Sequence, residues 1–176
     1  MIQLFSLMWV FAIVFAFVGF IRGWNQELIA TAGLLLAMFA ILQFDGIMRG
    51  TLFFTLPRDQ IFLIEFAVLM AVTALVYQSR EIRGTQRRAE RNLGAGVLGM
   101  FVGALNGYLL GGAIWYLLDI NEYPLQQFVS APALGSPSAQ NINWIPLVLV
   151  GGGASGTGDL LAVAVIVFLF VVFVVL

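Results

Sequence analysis

The amino-acid sequence predicts an all-α fold, a polytopic helical membrane protein with four to five transmembrane helices. Two observations carry this prediction. Of the 176 residues, 61% are apolar and only 10% are charged, and the mean hydropathy is +1.01. A soluble domain is about 45–50% apolar and about 25% charged, so this chain would be unable to cover its surface in water. The apolar residues also fall into long runs, as membrane spans require.

Five apolar runs supply the predicted helices in order along the chain. A spanning helix needs about 20 apolar residues, with about 17 at the lower limit. The second, third and fifth runs are therefore at the short end, and the fourth has length to spare for tilting. The runs are Leu4–Ile21, Leu28–Phe44, Ile61–Tyr77, Leu93–Leu118 and Leu160–Leu176.

These runs divide the chain into three parts. Residues 1–118 form a predicted four-helix membrane core, and residues 160–176 a C-terminal apolar helix. Residues 119–159 are rich in Pro, Ser, Asn and Gly, which predicts an outer loop near the membrane interface with Trp144 as an anchor. The apolar stretch 145–150 is too short to span, so we expect a re-entrant or surface-lying piece there.

The N-terminal segment does not fit a cleavable signal peptide. Such a peptide has positive charge before its apolar run and small residues at a cleavage site. Here "MIQLFSLMW" carries no charged side chain, and the first cation, Arg22, comes after the apolar run. We therefore expect a retained first span.

Composition also excludes several classes of function. The net charge is −1, which gives no reason to expect nucleic acid as a partner. Cysteine and histidine are both absent, so there is no disulfide, no Cys/His metal site and no histidine base. We expect no cofactor and no enzymatic activity.

Arginine counts predict the orientation in the membrane. All eight basic residues are arginines; six fall on one side of the predicted spans and two on the other. The side with more arginine is expected to be cytoplasmic, which places the 80–91 loop inside and the N-terminus outside. Four arginines of that loop share a helical spacing and are candidates for docking lipid headgroups or an acidic partner, although a simple role in topology is favoured. They are Arg80, Arg83, Arg87 and Arg91.

The fourth run carries a glycine at every fourth position. Such glycines lie on one face of a helix and allow a neighbouring backbone to approach closely. This predicts a packing face, used by the chain's own bundle or by another chain, with the first alternative favoured. The glycines are Gly99, Gly103, Gly107 and Gly111.

Two polar residues inside predicted spans are candidate functional residues. Glu65 lies about 6 Å below the outer boundary, counted along the third helix from Ile61. An intramembrane carboxylate is a functional candidate, but at this depth Glu65 could also pair with an arginine such as Arg58. Asn106 lies in mid-span, where structural bonding between helices is favoured over lining a substrate path. Asp45 and Asp119 fall at span ends and need no special explanation.

The connection between the first two runs, "VGFIRGWNQE", contains the remaining candidates. It is predicted to join two spans through about six residues on the inner side. Gly19 and Gly23 allow close approach and turning. Arg22 holds the turn in the cytoplasm, Glu27 is close enough to neutralise it, and Asn25 is a reasonable cap for the second helix.

These residues carry a family resemblance. A first span ending in Gly-x-x-Arg-Gly, followed by a glutamate four residues on and a second apolar helix, resembles the colicin V production protein (CvpA) family. The matching positions are Gly19, Arg22, Gly23 and Glu27, and the resemblance continues through "RNLGAGVLGMFVGALNG" to cover residues 4–118. It implies a small multi-pass protein of the bacterial inner membrane with no agreed catalytic residues. The 119–159 loop and the terminal span exceed the family's usual four-span core.

Three functions remain open at this stage. The first is a CvpA-like, non-enzymatic role in export or envelope maintenance. The second is an accessory or scaffolding subunit of a larger membrane complex, for example an energy-transducing one, with membrane proteins or a second copy as partners besides lipid. The third is a small transporter or channel lined by Glu65 and Asn106, which the sparse polar content of the spans disfavours.

Overall fold

The structure is a computed structural model that describes residues 3–78, 93–152 and 158–175. Seven α-helices follow one another in the described residues. The first four are long, and the last three are shorter. In chain order they are α1 (Leu4–Arg22), α2 (Trp24–Ile47), α3 (Arg58–Gln78), α4 (Leu93–Ile120), α5 (Pro137–Gln140), α6 (Pro146–Gly151) and α7 (Asp159–Val175).

Among the described residues, four helices are long and apolar enough to cross a membrane. They are α1, α3, α4, and α2 together with a π-helical turn that continues it through Met48–Leu52. The predicted fold class, an all-α polytopic membrane protein, is confirmed. The terminal helix α7 has 17 residues and is shorter than these four.

The helices extend further than the apolar runs that predict them. The first connection is the single residue Gly23, not a stretch of about six residues, because α1 runs through Arg22 and α2 begins at Trp24. Polar residues at a span end stay helical, since the helix satisfies its own backbone groups where water is scarce. The helix cap is also different from the prediction: Gly23 occupies the capping position of α2, and Asn25 lies inside the helix.

Gly23 has a backbone conformation that only glycine adopts readily. Its φ is +84° and its ψ is 160°, in a region that side chains exclude. This conformation allows the chain to reverse direction within one residue. The Gly23 N–H still donates to the carbonyl of Gly19, at 2.8 Å, so that the end of α1 is satisfied.

Helix α4 is the centre of the bundle and packs against α1, α2, α3 and α6, with its most extensive interface on α1. The four predicted glycines are buried on α4 and lie directly against the α1 backbone. A Cβ added at Gly103 would be 2.9 Å from the Cα of Gly19, and one at Gly107 would be 2.8 Å from the Cα of Ala12. The glycine face is therefore occupied within the chain.

The segment after α4 folds back onto the bundle. The Ser138 hydroxyl accepts a hydrogen bond from the Phe5 N–H at 3.2 Å, one of the donors that the start of α1 leaves open. The Pro146 ring packs against Gly112 of α4, and Ile145 and Leu147 are buried. The stretch 145–150, expected to be re-entrant or surface-lying, thus packs against α4, while Trp144 is 55% exposed.

A tight turn ends α4. Glu122 and Tyr123 have φ values of 57° and 54°, uncommon for residues with side chains. Tyr123 is directed back to α4, where its hydroxyl donates to Asp119 at 2.9 Å and accepts from the Trp115 indole at 3.2 Å. Burial raises the pKa of the Tyr123 phenol well above its ordinary value. The phenol is therefore a permanent donor to Asp119 at neutral pH.

We expect Gly103→Ala to lower the free energy of unfolding by about 1–3 kcal/mol, because the new methyl group meets the α1 backbone, which has no alternative position. Thermal unfolding of the purified protein in detergent measures the effect.

The matched control is Gly94→Ala on the same helix, where an added Cβ has nothing within 4 Å. This variant should change the stability by less than about 0.5 kcal/mol. Equal losses in the two variants would contradict the close approach of α1 and α4.

Candidate functional site

All four long helices meet at the carboxylate of Glu27. Although it is charged and lies in the first turn of α2, Glu27 is 0% exposed. Its neighbours come from α1 (Arg22), α2 (Thr31), α3 (Tyr77) and α4 (Asn106). We refer to Arg22, Glu27, Thr31, Tyr77 and Asn106 as the Glu27 cluster.

Both carboxylate oxygens of Glu27 accept hydrogen bonds. Oε1 accepts from Nη1 of Arg22 at 2.6 Å, and Oε2 accepts from the Tyr77 hydroxyl at 3.0 Å. The Arg22 guanidinium also lies over the Tyr77 ring, 4.3 Å from its centroid. Such a cation–π contact stabilises by about 0.5–2 kcal/mol, depending on how far it is desolvated. The predicted pairing of Arg22 with Glu27 is confirmed by this ion pair.

Asn106 ties α4 to α2. Its Nδ2 donates to Oε2 of Glu27 at 2.8 Å and to the Glu27 carbonyl at 3.0 Å, which uses both of its hydrogens. The Thr31 hydroxyl lies 2.7 Å from Oδ1 of Asn106 and 2.9 Å from the Glu27 carbonyl, and its single proton serves one of these acceptors at a time. Asn106, Thr31 and Glu27 are all 0% exposed, so these bonds form away from water.

The Glu27 cluster is balanced in charge and in hydrogen bonding. One carboxylate faces one guanidinium, and every other member is neutral. Among the described residues no buried side-chain nitrogen or oxygen lacks a hydrogen-bond partner. A buried polar network that is satisfied in this way fixes the positions of the helices that contribute to it.

A second polar cluster lies at the other end of the bundle and is centred on Arg49, in the π-helical turn. The Arg49 Nε donates to Oδ1 of Asp45 at 2.5 Å, and its Nη2 donates to Oε1 of Glu65 at 3.0 Å. Its Nη1 donates to Oδ1 of Asn121 at 3.1 Å. Asn121 in turn donates to Oε2 of Glu65 at 2.9 Å. We refer to Asp45, Arg49, Glu65 and Asn121 as the Arg49 cluster.

The partner of Glu65 is therefore Arg49 and not Arg58, which the sequence suggested. Arg58 forms an exposed ion pair with Glu122 instead. Asp45 lies in the last turn of α2, as expected for a residue at a span end, and the π-helical turn Met48–Leu52 continues the chain beyond it. That continuation is what brings Arg49 within reach of Glu65.

The two clusters are separate but close enough to share one bilayer. Asn106 and Asn121 lie 15 residues apart, of which the first 14 belong to α4, which corresponds to about 22 Å at 1.5 Å per residue. A hydrocarbon layer is about 30 Å thick, so a bilayer centred between the clusters holds both. The candidates Glu65 and Asn106 consequently belong to different clusters.

The arginine candidates Arg80, Arg83, Arg87 and Arg91 lie outside the described residues. Several members of the two clusters were not predicted from the sequence. For Asp45 and Arg49, the spacing of four residues was a usable signal, because such residues are neighbours on a helix. Thr31, Tyr77 and Asn121 gave no local signal, since the cluster side chains that they bond lie 75, 50 and 56 residues away in sequence.

Fold and clusters together define a polytopic helical membrane protein whose spans are joined by buried polar contacts. Comparison of the chain with protein-family models, with curated proteins and with solved structures finds no match.

We expect Glu27→Gln to lower the free energy of unfolding by about 3–5 kcal/mol, the usual cost of removing one partner of a buried ion pair. Every neighbour of this carboxylate donates a hydrogen bond, so the amide nitrogen of glutamine would face another donor. Chemical unfolding in detergent, followed by circular dichroism, measures the loss.

The control is Glu122→Gln, which removes a carboxylate whose side chain is 70% exposed from its pair with Arg58. Here the expected loss is about 0–1 kcal/mol. A Glu27→Gln protein as stable as this control would contradict a structural role for the Glu27 cluster.

Proposed function

We propose that this chain is a CvpA-like protein of the bacterial inner membrane, with a non-enzymatic role in export or in maintenance of the cell envelope. The proposal is based on one observation. Each of the four residues that resemble the family has a structural role in this fold. Gly19 lies against α4, Gly23 reverses the chain, and Arg22 and Glu27 form the ion pair at which all four long helices meet.

A non-enzymatic role is supported by how the polar side chains are used. In the Glu27 cluster, hydrogen bonds between helices use both carboxylate oxygens of Glu27 and both amide hydrogens of Asn106. A catalytic carboxylate or hydroxyl has to be available to a substrate proton. The groups of this cluster are instead committed to holding the bundle.

The proposed orientation places the N-terminus outside and the 80–91 loop in the cytoplasm. The arginine counts support this orientation, because the Arg49 end of the bundle carries two arginines, whereas the 80–91 loop carries five. The two arginines at the Arg49 end are Arg49 and Arg58.

Deleting the chain from its host should weaken the envelope. We expect increased uptake of a dye that the intact envelope excludes, or increased leakage of a periplasmic marker enzyme, with rescue by the wild-type chain. The Glu122→Gln variant should rescue fully, and Glu27→Gln only in proportion to the protein that remains in the membrane. A deletion strain with unchanged envelope and unchanged export would refute the proposed function.

A second candidate function, an accessory subunit of a larger membrane complex, is favoured by α7. This helix packs against α2 and α6 through residues such as Leu161 and Val165, which are buried. The opposite face is apolar and exposed. Its large exposed side chains are Leu160, Val163, Ile166, Val167, Leu169, Phe170, Phe173 and Val174. In a membrane such a face meets lipid or another protein.

If α7 docks a partner, replacing Ile166, Phe170 and Phe173 by alanine should release the chain from a complex extracted in mild detergent, seen on a native gel. The matched control replaces Ile13, Phe17 and Phe20, exposed apolar residues of α1, and should leave the complex intact. Migration of the wild-type chain as a monomer or small homo-oligomer would exclude the accessory-subunit function.

The weaker alternative, a small transporter or channel, requires a polar path that includes Glu65 and Asn106. These residues belong to two clusters whose asparagines, Asn106 and Asn121, are about 22 Å apart along the bundle. Apolar residues of α4, including the buried Leu109, Leu110 and Leu117, occupy the interval. The structure thus gives this alternative less support than the other two.

A further inference from the structure

A groove lies between α2 and α3 beside the Arg49 cluster. Its volume is about 270 Å³, close to the lower end of the range for small-molecule sites, about 300–1,000 Å³. Its walls are almost entirely apolar and include two aromatic rings. The lining residues that matter here are Ile41, Phe44, Phe53 and Val68, together with the two carboxylates Asp45 and Glu65.

The charge beside this groove is unbalanced. The carboxylates of Asp45 and Glu65 both form ion pairs with the same guanidinium group, that of Arg49. Both oxygens of Glu65 accept hydrogen bonds, from Arg49 and from Asn121. Asp45 accepts through Oδ1 from the Arg49 Nε, and within the described part of the chain its second oxygen has no hydrogen bond. The groove therefore has one carboxylate oxygen that a cation can still engage.

Among the residues that the structure describes, the surroundings of the cluster do not supply the missing positive charge. Tyr116 of α4 is neutral, as is Asn121, the cluster member that follows α4, and Asp119 is a further acid. Arg58 is committed to Glu122. The Asp45 side chain is 23% exposed, so a ligand can still reach its carboxylate.

A metal ion does not fit this groove. Hard cations such as Ca²⁺ take about six to eight oxygen ligands, and in the ranges that the structure describes no group of three or more His, Cys, Asp or Glu residues could hold a metal. The apolar walls call for a ligand with an apolar body. Phe44 and Phe53 add aromatic rings to the lining, and aromatic rings attract organic cations.

We infer that the groove between α2 and α3 binds a hydrophobic organic ammonium ion, with its apolar body between Phe44, Phe53 and Val68 and its ammonium group on Asp45. The ammonium supplies a charge-assisted hydrogen bond to the carboxylate and balances the Arg49 cluster. This inference goes beyond the proposed function, which does not involve a ligand.

The test compares two probes of similar shape that differ in charge, benzylammonium and benzyl alcohol. Binding to the full chain in detergent is measured by ligand-detected NMR with titration. Wild-type protein should bind benzylammonium at least about ten-fold more tightly than benzyl alcohol, which corresponds to about 1.4 kcal/mol. Asp45→Asn should abolish this preference, and it should fold because Arg49 and Glu65 remain a balanced pair.

Two further variants separate charge from space. Asp119→Asn removes an acid of the same end that does not line the groove and is bonded to Tyr123, and it should keep the preference for benzylammonium. Val68→Phe fills the groove without changing any charge, and it should weaken binding of both probes at least about ten-fold, again about 1.4 kcal/mol.

Equal affinity for the two probes would overturn the inference, since the groove would then be an apolar pocket only. A preference that survives in Asp45→Asn would overturn it as well, as would no measurable binding. A phospholipid that copurifies with the wild-type chain and is lost in Val68→Phe would identify an acyl chain as the occupant, and would also refute it.

Discussion

The burial of the Glu27 carboxylate constrains the whole bundle. A charged group withdrawn from water has to be paired and hydrogen-bonded, or it destabilises the fold by several kcal/mol. Glu27 meets this requirement with donors from three other helices: Arg22 of α1, Tyr77 of α3 and Asn106 of α4. Each of these helices is therefore held at one position along α2, because a shift of one turn would leave the carboxylate or one of its donors unsatisfied.

The close approach of α1 and α4 makes this arrangement possible. The apolar side chains of two spans gain little from contact with each other, since lipid tails are equally apolar. Association then depends on close packing and on polar contacts. The glycines of α4 allow close packing, because the backbone of α1 fits against them. Asn106 lies next to Gly107 on the same helix and provides the polar contact. Packing and polar bonding thus reinforce each other at adjacent positions.

The two polar clusters differ in charge balance, and this difference distinguishes a structural cluster from a candidate ligand site. In the Glu27 cluster one carboxylate meets one guanidinium and every oxygen is used, which is what a purely structural element requires. In the Arg49 cluster two carboxylates share one guanidinium, beside an apolar groove. An ionisable side chain inside a membrane-spanning helix, such as Glu65 in α3, is a functional candidate by default. A positively charged ligand would therefore stabilise the Arg49 cluster more than the Glu27 cluster.

The sequence by itself determined the fold class and the positions of the four spans, because the length of an apolar run and the thickness of a bilayer are both local quantities. It also determined the glycine face of α4, which depends only on a spacing of four residues, and the pairing of Arg22 with Glu27, five residues apart. Helix ends did not follow from the apolar runs, since polar residues such as Asn25 and Glu27 are helical outside the run.

Only the tertiary structure decided which distant side chains meet. Tyr77 and Asn106 lie 50 and 79 residues from Glu27, and nothing in their local sequence indicates a common partner. The choice of Arg49 over Arg58 for Glu65 depended on α2 continuing past Asp45, and on the rotation of α3 that directs Glu65 toward it. Such contacts follow from how the helices pack against each other, which no single segment specifies.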